Sequence, residues 1–141
     1  MKFLWRLGSK SNRRTGSKDG VSYESVLTVR SKSMPGVTFV LNRVSFGRRM
    51  ELSRQIREIS RRGEFLEAGS QVQEKIEANI LAQEVDGMYL RWGLVSIEGM
   101  RIDGEPASAG QLIDRGPEEL TREIVGAIKE QCGLSDTERK N

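Results

Sequence analysis

The 141 residues contain no histidine, a single cysteine, Cys132, and only three prolines. Two of these shortages remove whole classes of function. Without imidazole the chain lacks the commonest general base and the commonest transition-metal ligand, so neither a Ser-His-Asp nor a Cys-His nucleophile can be assembled from it. One thiol closes no intrachain disulfide, and a zinc site would have to combine it with carboxylates alone. No apolar run is long enough to cross a bilayer. The opening MKFLWRLG is too short in its apolar part for a secretion signal and is broken by Arg6. The expected location is the cytoplasm. Apolar side chains make up 36% of the chain, which predicts a thin core that a partner or a second copy helps to complete.

Charge, by contrast, is plentiful and segregated. Residues 1–62 carry 15 Lys and Arg against 4 Asp and Glu, whereas residues 63–141 carry 8 against 16. Such polarity suits a partner that reads charge, or copies that associate head to tail. Residues 8–20, GSKSNRRTGSKDG, hold Arg13 and Arg14 and no apolar side chain. They read as a flexible basic arm, residues 1–20, in front of a single domain over 21–141. Phe3, Leu4, Trp5 and Leu7 form a short apolar hook at its tip.

Periodicity organises the rest. VLTVRS (26–31) and VTFVLNRVSF (37–46) flank the turn signal Met34-Pro35-Gly36 and read as an antiparallel hairpin. Leu52, Ile56, Ile59 and Leu66 then recur at helical spacing, with Ser45 as cap and Gly69 as stop. Ser70 and Gln73 suit a capping box for a second helix. Its apolar stripe is broad: Val72, Ile76, Ile80, Leu81, Val85, Met88, Tyr89 and Trp92, ending at Gly93. LVSIEGMRIDGEP (94–106) reads as short extended pieces around an Asp103-Gly104 turn. Ser108 and Gln111 offer another capping box, and Pro117-Glu118-Glu119 opens a last helix that Gly133 ends. The expected fold is α+β and helix-dominated, with an N-terminal antiparallel β-hairpin.

Three groups of residues invite a functional reading. Arg54, Arg57 and Arg61 share one helix face, and with Arg13, Arg14, Arg48, Arg49 and Arg62 they can neutralise phosphates. No aromatic residue interleaves them to stack on bases. An acidic protein surface suits the same row, and Glu58 can pair with Arg54, Arg61 or Arg62. Glu98, Asp103 and Glu105 flank a turn; they supply too few oxygens for a calcium loop, they would do acid–base work only as a clustered, buried pair, and GLVSIEG lacks the lysine of a phosphate-binding loop. Met88, Tyr89 and Trp92 bunch at a helix end, as core or as interface anchors. No cofactor is implied, and no catalytic constellation emerges.

The order of these segments resembles the small tail assembly chaperones of long-tailed bacteriophages and related prophage tail proteins. SMPGVTFVLNRVSFGRRMELSRQI, YLRWGLVSIEGMRIDGEPAS and GPEELTREIVGAIKE carry the resemblance, which spans about residues 33–133. Its loose motifs are Trp92, Asp103, Gly104 and Pro117. The basic arm, and the arginine pairs at 48–49 and 61–62, depart from the pattern. The resemblance implies a non-enzymatic binder of the tape-measure chain, which keeps its apolar helices soluble and presents them to the tube subunits. Arg54, Arg57, Arg61, Tyr89 and Trp92 are the residues expected to serve protein binding. A basic nucleic-acid-binding protein, or another phage structural protein, is the alternative.

Overall fold

The computed structural model describes residues 20–67 and 71–133. The basic arm up to Asp19, the Leu66 side chain, Gly69 and the Ser70 cap lie outside the described residues. Within them the fold is α+β and helix-dominated, as the periodicity predicts.

Strands β1 (Val26–Arg30) and β2 (Thr38–Asn42) form the expected hairpin, with Leu27 opposite Leu41 and Val29 opposite Phe39. A third strand, β3 (Leu94–Glu98), pairs antiparallel with the other side of β2. Local signals at 94–98 show only extended chain; the pairing partner lies more than fifty residues upstream. Side chains alternate along β2, so Phe39 and Leu41 turn into the core while Thr38, Val40 and Asn42 face the other way. Gly99 follows β3 with φ +88°, and a Cβ there would stand 2.3 Å from the Gly36 carbonyl oxygen. The end of β3 is thus seated on the β1–β2 turn.

The helices begin and end where short-range chemistry says they should. In α1 (Phe46–Glu67) the Ser45 hydroxyl accepts the Arg48 backbone N–H at 3.2 Å. Helix α2 (Val72–Gly93) starts behind Gln71, which makes no side-chain cap. Strands β4 (Arg101–Ile102) and β5 (Glu105–Pro106) are joined by Asp103 and Gly104 at φ 51° and 83°, the left-handed pair of a tight hairpin turn. Ser108 caps α3 (Ala109–Arg115) through the Gln111 N–H. Pro117, expected as the first helical residue, is instead the cap of α4 (Glu118–Gln131), and Glu118 and Glu119 fill the positive first turn.

One apolar cluster joins the sheet to the helices. Phe39, Leu41, Leu90, Leu112, Leu120, Ile124 and Ile128 are fully enclosed. Helices α1 and α2 run back along each other, but only the root of this pair reaches the cluster, through Leu52, Ile56, Val85, Tyr89 and Leu90. Farther out, Ala78 and Leu81 are buried outside that cluster. Ile59, expected in the core, is half-buried and lies outside it.

A carboxylate fastens the hairpin to α4. Glu123 accepts from the Ser31 hydroxyl at 2.8 Å, the Lys32 N–H at 2.6 Å, and the Ser33 hydroxyl and N–H at 2.7 and 3.3 Å. Partial burial pushes its pKa up, but the hydrogen bonds from Lys32, Ser33 and Ser31 outweigh this and hold it below the ordinary 4.5. A depressed carboxylate pKa contributes stability that is fully present above the unfolded value and lost as pH falls through the folded one. Stability is therefore expected to drop below about pH 4.5. In Glu123→Gln the drop attributable to this site should vanish, together with about 1–2 kcal/mol at neutral pH. Urea titrations of both proteins between pH 3 and 7 check this.

Candidate protein-binding site

Helical residues advance by about 100° each, so one helix shows different faces to different neighbours. Along α2, Ala78, Leu81, Val85 and Tyr89 turn toward α1 and the core. Val72, Ile76 and Ile80, at four-residue steps, form a separate row that is 73%, 55% and 48% exposed. The single broad stripe of the sequence is thus two surfaces, and only one of them is covered. The exposed row leads into a groove of about 700 Å³ between α1, α2 and α3. Ile59, Ile80, Met88, Trp92 and Ile113 give the groove its apolar walls, and Glu84 and Arg91 add charge of both signs.

Trp92 lines this groove, held by contacts to Arg48 and Asn42. The Arg48 guanidinium sits 4.6 Å from its ring centre and donates to its carbonyl oxygen at 2.6 Å. Asn42 Nδ2 donates to the same oxygen at 3.4 Å. The indole N–H is buried and unpartnered among the described residues. Tyr89 is different. It is 2% exposed and belongs to the core, with Lys129 Nζ 5.5 Å from its ring centre. Lys129 is held in turn by Asp86 at 2.7 Å. Of the two aromatic residues expected at the site, Trp92 reaches the groove of the exposed row and Tyr89 packs inside.

The arginines divide in the same way. Arg54, Arg57, Arg61 and Arg62 are exposed along α1 and form no ion pair or hydrogen bond with a described residue; the pairs expected with Glu58 are absent among the described residues. Arg48 is taken up by Trp92, and Arg49 Nη1 donates to the Cys132 carbonyl oxygen at the end of α4. Arg13 and Arg14 lie outside the described residues. Of the eight arginines that the sequence offers as phosphate contacts, the structure displays four as one exposed set.

The remaining candidates are dispersed. Asp103 pairs with Arg115 at 3.0 Å, and both side chains are well exposed. Glu98 and Glu105 are exposed on β3 and β5. Burial raises the pKa of the Cys132 thiol, and Arg49 offsets part of that rise. Among the described residues, no three His, Cys, Asp or Glu side chains gather where a metal ion could sit, and no helix is long and apolar enough to cross a membrane.

No family model matches the chain, and no curated protein or solved structure matches it. Val72, Ile76 and Ile80 belong to the apolar stripe of the sequence but not to its buried face. The available signal was angular width. Val72 and Tyr89 lie about 100° apart on the helix, and the residues between them spread farther than one buried face requires.

Proposed function

We propose that this chain is a non-catalytic tail assembly factor of a bacteriophage or prophage, and that its α1–α2 pair receives an apolar helical segment of the tape-measure protein. The observation that carries the binding role is the uncovered row Val72, Ile76, Ile80 opening into the groove beside Trp92. Apolar side chains at successive turns match the i, i+4 anchors of an amphipathic helix laid along them. The clamped Trp92 supplies a wall that loses little freedom on binding. Exposed apolar residues concentrated in this way mark interaction surfaces rather than a free face. The tape-measure partner comes from the resemblance of the segment order to tail assembly chaperones.

Co-expression with the tape-measure protein of the same phage or prophage tests the assignment. The soluble fraction of the tape-measure protein should rise severalfold when this chain is present. An unchanged fraction would remove the tape-measure protein as partner. The exposed Arg54, Arg57, Arg61 and Arg62 favour a second reading, nucleic-acid binding. Duplex DNA retention that falls steeply with salt, and disappears when Arg54, Arg57 and Arg61 all become Ala, would put that reading first.

A further inference from the structure

The outer edge of β1 is a self-complementary strand. Ser25 accepts from the Arg43 N–H at 2.8 Å, and Ser31 donates its N–H to Val37 at 2.9 Å. Alternate residues of an antiparallel strand bond to the same neighbour. With the register Val26↔Asn42 to Arg30↔Thr38, residues Ser25, Leu27, Val29 and Ser31 therefore bond to β2. The N–H and C=O groups of Val26, Thr28 and Arg30 point away from β2, on the edge of the sheet. No described residue takes them up. Edges of this kind recruit another strand unless proline, a bulge or an inward charge blocks them, and none of these interrupts VLTVR.

We propose that β1 of a second copy occupies this edge, antiparallel, about a twofold axis at Thr28. That axis leaves every strand residue paired. Thr28 faces Thr28 of the other copy, Val26 faces Arg30, and the outward-pointing groups of both strands meet as hydrogen-bonded pairs. The half-buried Leu27 and Val29 come opposite each other and continue the apolar face of the sheet. Beyond the strand, the exposed Glu24 comes opposite the exposed Lys32, so each end of the joint pairs opposite charges and no like charges meet. The match of the strand to itself, in length, hydrogen-bond parity and charge, selects a second copy as the occupant. Sliding the axis to Arg30 would set two arginines face to face. The contact is isologous and closes at two chains. It is independent of the tape-measure reading, and each dimer carries two of the α2 grooves.

Cysteine cross-linking of the full chain tests the axis. Hydrogen-bonded antiparallel pairs place Cα atoms about 5.5 Å apart, inside disulfide range. Thr28→Cys should oxidise to a covalent dimer, whereas Val95→Cys, an exposed position on the opposite edge strand, should remain a monomer on denaturing gels. Sedimentation should give the mass of two chains for the unmodified protein. Glu24→Lys should weaken the dimer about fivefold by setting like charges opposite each other, the introduced ammonium against Lys32, at both ends. Adding Lys32→Glu should restore it. A monomeric mass at about 100 µM, with the Thr28→Cys thiol still reduced, would overturn the proposal and leave the edge to another segment or a foreign strand. Faster cross-linking through Val95→Cys would overturn it as well, in favour of β3.

Discussion

Phe39→Ala is expected to lower the unfolding free energy by about 3–5 kcal/mol. Phe39 is 0% exposed in the central strand, with Val29 opposite on β1 and Ile97 opposite on β3. It is the largest of the fully enclosed side chains, and its removal leaves a void inside the cluster that joins the sheet to the helices. Domains of this size have about 5–15 kcal/mol in all, so the variant should sit near its unfolding threshold at 37 °C. Urea unfolding measures the effect as a lowered midpoint at unchanged slope. A loss below about 1 kcal/mol would mean that the sheet does not close over the helices as described.

Ile76→Asp combined with Ile80→Asp is expected to do the opposite: to spare the fold and abolish partner binding. Both side chains are about half exposed and lie on the uncovered row, so stability should change by less than about 1 kcal/mol. Two carboxylates in the middle of an apolar contact would each have to be desolvated against the partner helix. Affinity for the proposed tape-measure segment should fall at least about 100-fold. Thermal melts and calorimetric titration of the same samples separate the two effects. Retained affinity would show that the partner docks elsewhere. A large drop in melting temperature would show that the row supports the fold.

Local features of this fold were legible in the sequence because their causes lie within a few residues. Ser45 and Ser108 cap the helices that follow them, Asp103-Gly104 turns the small hairpin, and Gly133 stands just past α4. The face shared by Arg54, Arg57 and Arg61 follows from helical spacing alone, and the three are exposed together. Features that depend on distant chain were not legible. The extended residues 94–98 gave no sign that β2 would be their partner. Arg48 read as a phosphate contact until folding brought the start of α1 against the end of α2, where the guanidinium covers Trp92. Glu123 looked like an ordinary helix acid; its four donors sit about ninety residues away in the β1–β2 turn. For the candidate site, the residue types were visible but their exposure was not. Whether Ile76 or Leu81 faces solvent is decided by where α1 lies.

In the proposed function an adhesive helical surface on the α1–α2 pair, rather than a reacting centre, performs the work of this chain. Methyl spectra of isoleucine-labelled protein, titrated with a synthetic apolar helix from the tape-measure protein, test it most directly. Shifts are expected at Ile59, Ile76, Ile80 and Ile113, with Ile124 and Ile128 unmoved in the core. Shifts centred on Ile97 and Ile102, near Glu98, Asp103 and Glu105, with Ile76 and Ile80 unchanged, would contradict it.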